Sequence, residues 1–231
     1  MPLIAKFSIF VALCAALTTT AFANEKGSPE AVLAEAHGIA DWPDVEAIEF
    51  TFHVDRKAPI NRQWLWEVHA AKVTRTIGDQ RATIDLSSLE SEEDIAVHRQ
   101  FINDSFWLIF PFKIVWSDTI VTDHGMTDVT ISGETRKAKK LTALWPSEGG
   151  YTPGDAYDLY IGKDHQILAW DFRKGNQTEG RFFEWKDEQM LGPIRVSATR
   201  RKEGAEKPII SLKDLRIQLK GTDTWIEAET R

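Results

Sequence analysis

The chain has 231 residues and a formal net charge of −7 at pH 7, with 28 lysines and arginines against 35 aspartates and glutamates. This acidic balance argues against binding to nucleic acid, which requires a basic surface that neutralises phosphates. It also argues against electrostatic adhesion to anionic membranes.

The first 23 residues have the three parts of a secretory signal peptide. Lys6 supplies a positive charge, residues 7–17 form an apolar run, and Ala21-Phe22-Ala23 offers the small residues of a cleavage site. The apolar run is shorter than the roughly 20 residues that a membrane-spanning helix needs. We therefore expect cleavage after Ala23, a periplasmic or secreted protein, and a single domain over residues 24–231.

Cys14 is the one cysteine of the chain, and it follows Leu13 inside the apolar run. A lipid-modified cysteine normally follows a small residue, so cleavage after Ala23 is the favoured interpretation. Removal of the leader then leaves a chain without a disulfide, a thiolate nucleophile or a cysteine-based metal site.

The first predicted elements are a short helix and a series of strands. Ser28-Pro29-Glu30 provides an N-cap, a proline at the first helical position and an acidic first turn, and Gly38 ends the helix. Apolar and polar residues alternate over residues 46–55, which predicts a half-buried strand. A second strand is predicted over residues 63–73 and a third over residues 81–86.

A helical segment interrupts the strands. An acidic cluster at residues 90–94 suits a helix N-terminus, and apolar residues then recur at helical spacing, which predicts an amphipathic helix over residues 88–104. It leads into the apolar residues 106–112. Because Pro111 opposes both a regular helix and a central strand, we expect a buried helix-to-strand transition there.

The remaining sequence has the pattern of a meander of short strands separated by glycine and proline turns. Candidate strands lie at residues 127–132, 140–145, 156–161, 167–173, 181–186, 194–200 and 209–220. Strands at intervals of roughly ten residues indicate an antiparallel barrel or curved sheet. The predicted fold class is mainly β (α+β), a curved antiparallel sheet or half-open β-barrel with two covering helices.

Motifs for catalysis or metal binding are sparse. The six histidines form no compact metal motif. His53 and His69 lie on consecutive predicted strands and could meet near carboxylates as a zinc or iron site, although two histidines on a solvated face are the simpler interpretation. The acidic residues around Gly125 lack the spacing of a calcium loop and are expected in a solvated turn. With no serine elbow or phosphate loop either, we predict no catalytic residue, no metal and no cofactor.

Nine tryptophans and twelve phenylalanines make a heavy aromatic load, and many fall on predicted inward positions. Core packing is one interpretation. A curved sheet with a helix across its mouth cannot easily fill its concave side, so the same residues could instead line a cavity for an acyl chain. The predicted ligand-binding residues are Phe50, Phe52, Trp64, Trp66, Trp107, Phe110, Trp170 and Phe172.

Two stretches, FINDSFWLIFPF at residues 101–112 and YTPGDAYDLY at residues 151–160, carry a family resemblance together with the order of elements. The chain resembles the LolA/LolB-like lipoprotein-carrier superfamily, in which a half-open β-barrel covered by helices holds lipid acyl chains. The resemblance implies this fold for residues 24–231. It also implies a partner that is an apolar small molecule, a lipid or a lipoprotein.

The leading hypothesis is an exported, monomeric binding protein that holds an apolar ligand in an aromatic-lined concave sheet, without stable membrane insertion. The alternative is an exported hydrolase or metal-dependent enzyme that uses His53, His69 and nearby carboxylates. An outer-membrane barrel ranks third, because the predicted helices and the charged residues 229–231 oppose it.

Overall fold

The computed structural model describes residues 27–148 and 152–231. The predicted leader, its cleavage site and Cys14 lie outside these residues, so the leader and the domain boundary at residue 24 stay predictions. The described helices are α1 (Pro29–Ala36), α2 (Glu92–Leu108) and α3 (Phe110–Trp116), with short 3-10 helices at Ile39–Asp44, Lys163–His165 and Lys174–Asn176. The described strands are β1 (Val45–Val54), β2 (Ile60–Glu67), β3 (Lys72–Ile77), β4 (Gln80–Asp85), β5 (Ile120–Ile131), β6 (Glu134–Leu144), β7 (Ala156–Ile161), β8 (Ile167–Arg173), β9 (Arg181–Leu191), β10 (Ile194–Lys202), β11 (Ile210–Leu219), β12 (Trp225–Glu227) and β13 (Glu229–Thr230).

These strands form one antiparallel sheet that is curved and unclosed, which confirms the predicted fold class. The strand order is β4-β3-β2-β1-β11-β10-β9-β8-β7-β6-β5, with β12 added to β11 and β13 added to β9. Strands β1–β4 make one meander and β5–β10 make a second, and β11 joins the two. The strands β4 and β5 follow each other in the chain but lie at opposite edges of the sheet. The connection between them, which contains α2 and α3, therefore has to cross the concave face.

Helix α1 forms where the sequence predicts it. The Ser28 hydroxyl accepts a hydrogen bond from the Ala31 amide at 3.4 Å, and Pro29 occupies the first turn. Gly38 follows the helix with a φ of 88°, a left-handed conformation that favours glycine. A Cβ on Gly38 would lie 2.4 Å from the Pro193 carbonyl oxygen, so the close approach of the β9–β10 turn also requires glycine.

The strand predicted over residues 63–73 is wrong, because this region contains two strands. The chain turns between β2 and β3, where Ala71 takes a φ of 51°. This turn contains neither glycine nor proline, which are the residues that mark turns in a sequence. The helical segment consequently follows the fourth strand and not the third.

The expected helix-to-strand transition at residues 106–112 is also wrong. Ser91 and Asp94 form a reciprocal capping box, and α2 continues from there past Asp104 to Leu108. The backbone breaks at Ile109, and α3 begins immediately afterwards with Pro111 in its first turn. Proline is tolerated at this position because the first N–H groups of a helix have no intrahelical acceptor.

The solvated turn expected around Gly125 is a bulged part of β5. The bulge lies between Asp123 and Met126, and the Asp123 carboxylate accepts a hydrogen bond from the Gly125 amide at 2.8 Å. Residues 27–148 and 152–231 hold no group of three or more histidine, cysteine, aspartate or glutamate side chains that could bind a metal. The helices of this part of the chain are too short or too polar to cross a membrane.

Two apolar clusters fill the space between the concave face and the helices. The first cluster lies on β1–β4 and β9–β11 and includes Phe50, Phe52, Trp64, Trp66 and Phe101 of α2. The second cluster lies on β6–β9 and includes Tyr157, Trp170, Trp185, Phe106 of α2 and Phe110 of α3. Trp107 packs against both clusters, so the end of α2 is the point at which they meet.

Two glycine-to-alanine substitutions test the close approach at Gly38. Gly38→Ala should lower the free energy of unfolding by about 3 kcal/mol or more, because the Pro193 backbone must shift. Gly78→Ala is the matched control: its φ is 55° and no atom lies within 4 Å of its Cβ position. It should cost only about 1 kcal/mol of left-handed strain. Urea unfolding measures both, and equal losses would contradict the packing described.

Candidate functional site

The eight predicted ligand-binding residues do not form one wall. The first cluster contains Phe50, Phe52, Trp64 and Trp66, and the second contains Phe110 and Trp170. These six side chains are at most 3% exposed. Trp107 and Phe172 are partly buried, and Phe110 and Trp107 belong to the helical segment and not to the sheet. The role of these residues in binding a ligand stays a prediction.

The helices place their own aromatic rings against those of the sheet. The Phe101 ring centroid lies 5.4 Å from Trp64 and 5.1 Å from Trp66, and the Phe110 centroid lies 4.7 Å from Trp170. Offset and edge-to-face pairs at such distances stabilise the packing by about 0.5–1.5 kcal/mol each beyond the buried area. The concave face is thus occupied mainly by α2 and α3, with Leu33 and Ala34 of α1 beside them.

Three aromatic side chains reach solvent where α2 ends. Trp107, Phe172 and Phe183 are partly exposed and pack on the second cluster. The Trp107 centroid lies 4.6 Å from Trp170 and 5.6 Å from Phe183. We call Trp107, Phe172 and Phe183 the aromatic rim.

A buried ion pair fixes α2 to β2. The Asp104 side chain is 0% exposed and accepts hydrogen bonds from Arg62 Nε at 2.7 Å and from Arg62 Nη2 at 2.6 Å. The Trp64 indole Nε1 donates to the same carboxylate at 2.8 Å. Burial raises the pKa of Asp104, and the hydrogen bonds from Arg62, Asn103 and Trp64 oppose that shift. These donors therefore offset part of the cost of burying the carboxylate.

A buried arginine fixes the end of α2 to β10. Arg200 is 1% exposed, and its Nη2 donates to the Trp107 carbonyl oxygen at 2.6 Å. Its Nη1 donates to the carbonyl oxygens of Ser197 at 2.8 Å and Thr199 at 3.0 Å. The guanidinium carbon lies 3.5 Å from the centroid of the Trp185 ring. A cation at this place also opposes the negative end of the helix dipole.

Sequence reasoning missed both Asp104 and Arg200, although a signal existed for each. Asp104 belongs to the stripe formed by Val97, Phe101 and Leu108, which helical spacing places on one buried face. Arg200 shares the inward side of β10 with Ile194, Val196 and Ala198. A charged residue inside an apolar stripe signals a buried polar contact.

The His53 and His69 site of the alternative hypothesis is not assembled. His53 lies on β1 opposite Asn61, and its Nδ1 is 2.7 Å from the Asn61 Oδ1. His69 is exposed in the turn that follows β2, beyond the Ala47–Glu67 pair. The two histidines consequently lie at opposite ends of the same hairpin and cannot ligate one metal ion.

The convex face carries a polar cleft of about 530 Å³. It is lined by Glu49, Phe50, Thr51, Gln63, Trp64, Leu65, Thr74, Thr76, Arg81, Asp214, Arg216 and Glu227. Arg216 Nε donates to Glu49 at 2.7 Å, and the Thr51 hydroxyl donates to Asp214 at 2.8 Å. Much of this lining is hydrogen-bonded to itself, and its polarity does not suit an apolar ligand.

A smaller cleft of about 350 Å³ lies beside the end of α1, with His37 and Arg195 in its lining. The buried His37 ring holds its Nδ1 2.8 Å from the Leu33 carbonyl oxygen. Burial lowers the pKa of His37 to about 4, and the Arg195 charge acts in the same direction. His37 is thus neutral at pH 7.

Comparison with known proteins finds weak structural similarity only. No family model matches the chain, and no curated protein matches it. The crystal structure of a DUF1329 family protein from Desulfovibrio piger matches with a TM-score of 0.42 and 11% sequence identity, covering 84% of this chain and 95% of that one. A likeness of this size does not place the chain in a family, so the lipoprotein-carrier resemblance stays a prediction.

Removal of the Asp104 charge should destabilise the protein strongly. Asp104→Asn leaves the partly buried Arg62 without its counter-ion, and we expect a loss of about 2–4 kcal/mol in the free energy of unfolding. Asp128→Asn is the matched control, because the Asp128 side chain is 57% exposed and pairs with Lys137 at the surface. That change should cost less than about 1 kcal/mol. Urea unfolding of both variants would contradict this interpretation if their losses were equal.

Stability should fall in acid because His37 must gain a proton on unfolding. Its pKa is about 4 in the folded protein and 6.5 when unfolded, so the unfolded state binds more protons between these values. The contribution of neutral His37 to the free energy of unfolding is complete above pH 6.5. It is lost as the pH falls towards 4, and the loss reaches up to about 3 kcal/mol. The measurement is the free energy of unfolding against pH for the wild type and for His37→Gln. The variant should show a shallower slope, and identical slopes would refute the assignment.

Proposed function

We propose that the protein is exported and binds an apolar ligand, a lipid or a lipoprotein acyl chain, between the concave face of its sheet and the segment formed by α2 and α3. One observation carries the proposal. The aromatic concave face of the unclosed sheet is covered mainly by the helical residues 92–116, with Leu33, Ala34 and Trp42 packed beside them, and not by further strands of the described chain. Such a segment can move away without breaking the hydrogen bonds of the sheet.

The contacts between this segment and the sheet suit exchange with an acyl chain. The rings of Phe101, Phe106 and Phe110 are held by apolar packing, which is non-directional and scales with the area removed from water. An acyl chain that takes their place restores much of that buried area. The directional contacts include the Asp104 ion pair, the Arg200 hydrogen bond and the bond from Arg75 Nη1 to Gln100 at 2.9 Å.

The aromatic rim supplies a route to the interior. Trp107, Phe172 and Phe183 are accessible from solvent and continuous with the second cluster. Exposed aromatic rings beside a packed apolar interior are a suitable first contact for a lipid tail. In this proposal the tail enters beside Trp107 and displaces the end of α2.

The LolA/LolB-like resemblance and the predicted leader belong to the same proposal. A periplasmic or secreted location follows from cleavage after Ala23, and the resemblance supplies lipids and lipoproteins as the ligand class. The enzymatic alternative gains no support from the described residues, since His53 and His69 lie at opposite ends of one hairpin.

Binding of a neutral fluorescent probe, pyrenedecanol, tests the proposal with two matched variants. Trp107→Ala should weaken binding at least about fivefold, because a rim contact of about 1 kcal/mol is lost. Trp225→Ala removes another partly exposed tryptophan, which stacks with Arg216 away from the concave face. This control should bind the probe as the wild type does.

Native mass spectrometry of gently purified wild-type protein provides a second readout. We expect an apolar adduct that organic extraction removes. A clean unliganded mass together with no uptake of pyrenedecanol would contradict the proposed function. Equal effects of the two tryptophan substitutions would place the binding site elsewhere.

A further inference from the structure

Arg200 is a buried cation for which residues 27–148 and 152–231 provide no carboxylate partner. Its guanidinium contacts three carbonyl oxygens and the face of Trp185, but it forms no ion pair. Burial holds its pKa well below the ordinary value, and no neighbouring anion opposes that shift. Burying a charge is costly unless the charge is paired, and the described residues supply no counter-ion for this one.

Buried donors without acceptors occur at several places in the described part of the chain, and three of them belong to Arg200 and to the two tryptophans packed beside it. Arg200 Nε has no acceptor within the described part of the chain, and neither do the indole Nε1 groups of Trp170 and Trp185. The Trp185 ring stacks on the guanidinium, and its centroid lies 5.1 Å from that of Trp170. Several buried donors without acceptors indicate a missing oxygen-rich group.

Elsewhere in the protein, an arginine and a tryptophan together bind a buried carboxylate. Arg62 binds the Asp104 carboxylate through Nε and Nη2, and the indole of Trp64 adds a third donor. Nε and Nη2 form one edge of a guanidinium, and this edge matches the two oxygens of a carboxylate. In Arg200 the Nε of this edge is unused, and Nη2 binds only the Trp107 carbonyl oxygen.

We propose that Arg200 binds the carboxylate of a long-chain fatty acid whose tail occupies the interior described above, a proposal that rests on the proposed function. Nε and Nη2 donate to the two carboxylate oxygens, and the indole N–H groups of Trp170 and Trp185 are the further donors. The Trp107 carbonyl oxygen gives up its place on Nη2 as the end of α2 moves away. The ligand then supplies the counter-ion that the chain lacks.

The test compares two ligands that differ only at the head, hexadecanoate and hexadecanol, by isothermal titration at pH 8. The wild type should bind hexadecanoate at least about tenfold more tightly, since charge-assisted bidentate hydrogen bonds form only with the acid. Equal affinities would overturn the assignment of Arg200 and leave the proposed function intact. No binding of either ligand would overturn both.

Three variants assign the preference to the named groups. Arg200→Gln should bind both ligands with affinities within about twofold of each other, because no guanidinium is left to distinguish the acid from the alcohol. Arg201→Gln is the matched control on the opposite side of β10 and should keep the full preference for the acid. An equal loss of affinity for both ligands in Arg200→Gln would mean that Arg200 only supports the fold.

Trp185→Phe keeps an aromatic ring beneath the guanidinium and removes one indole donor. This variant tests the site even if Arg200→Gln does not fold. It should weaken hexadecanoate binding about threefold relative to hexadecanol binding. Circular dichroism and thermal unfolding establish that each variant is folded before titration. An unchanged preference for the acid in a folded Trp185→Phe would remove that indole from the site.

Discussion

The connection from β4 to β5 is the constraint on which the remaining structure depends. These strands are consecutive in the chain and occupy opposite edges of the sheet, so the intervening residues must pass over the concave face. A helical segment satisfies its own backbone hydrogen bonds during this crossing, which an irregular chain over an apolar surface could not do. Its inward side chains fill the concave face, and the two apolar clusters, the Asp104 ion pair and the Trp107–Arg200 contact all follow from this path.

The two buried charges under the helical segment differ in how completely they are satisfied. Asp104 is matched by a guanidinium and an indole from the neighbouring β2, so the contact is complete without any outside group. Arg200 caps the end of α2 with neutral carbonyl oxygens, which are weaker partners for a cation than a carboxylate is. Helix α2 is therefore held by a complete ion pair one turn before its C-terminal end and by neutral acceptors at the end itself. The weaker of the two contacts, the hydrogen bond from Arg200 to the Trp107 carbonyl oxygen, therefore lies next to the aromatic rim.

The sequence predicts the regular parts of the fold well and the polar interior poorly. Strands β7 and β8 have the predicted bounds, because their alternation is clean and turn residues flank them. The turn at Ala71 carries no sequence signal because alanine rarely adopts a positive φ, and Pro111 hides α3 because a proline in the first turn of a helix has the same local pattern as one that ends a helix. The apolar stripes around Asp104 and Arg200 signal that both residues are buried, but they do not identify the partners. Trp64 and Trp107 lie 40 and 93 positions away from them, and no local pattern reveals such contacts.

The position of β11 has a consequence for how the chain acquires its structure. Residues 45–54 pair with residues 210–219, so the two meanders remain separate half-sheets until the last long strand is available. Each half-sheet then presents an unpaired inner edge, β1 in one case and β10 in the other. Contacts of such large sequence separation form slowly, and exposed edges invite pairing with other chains. Folding of this protein is therefore completed late, and products truncated before residue 210 are expected to aggregate rather than to accumulate as stable fragments.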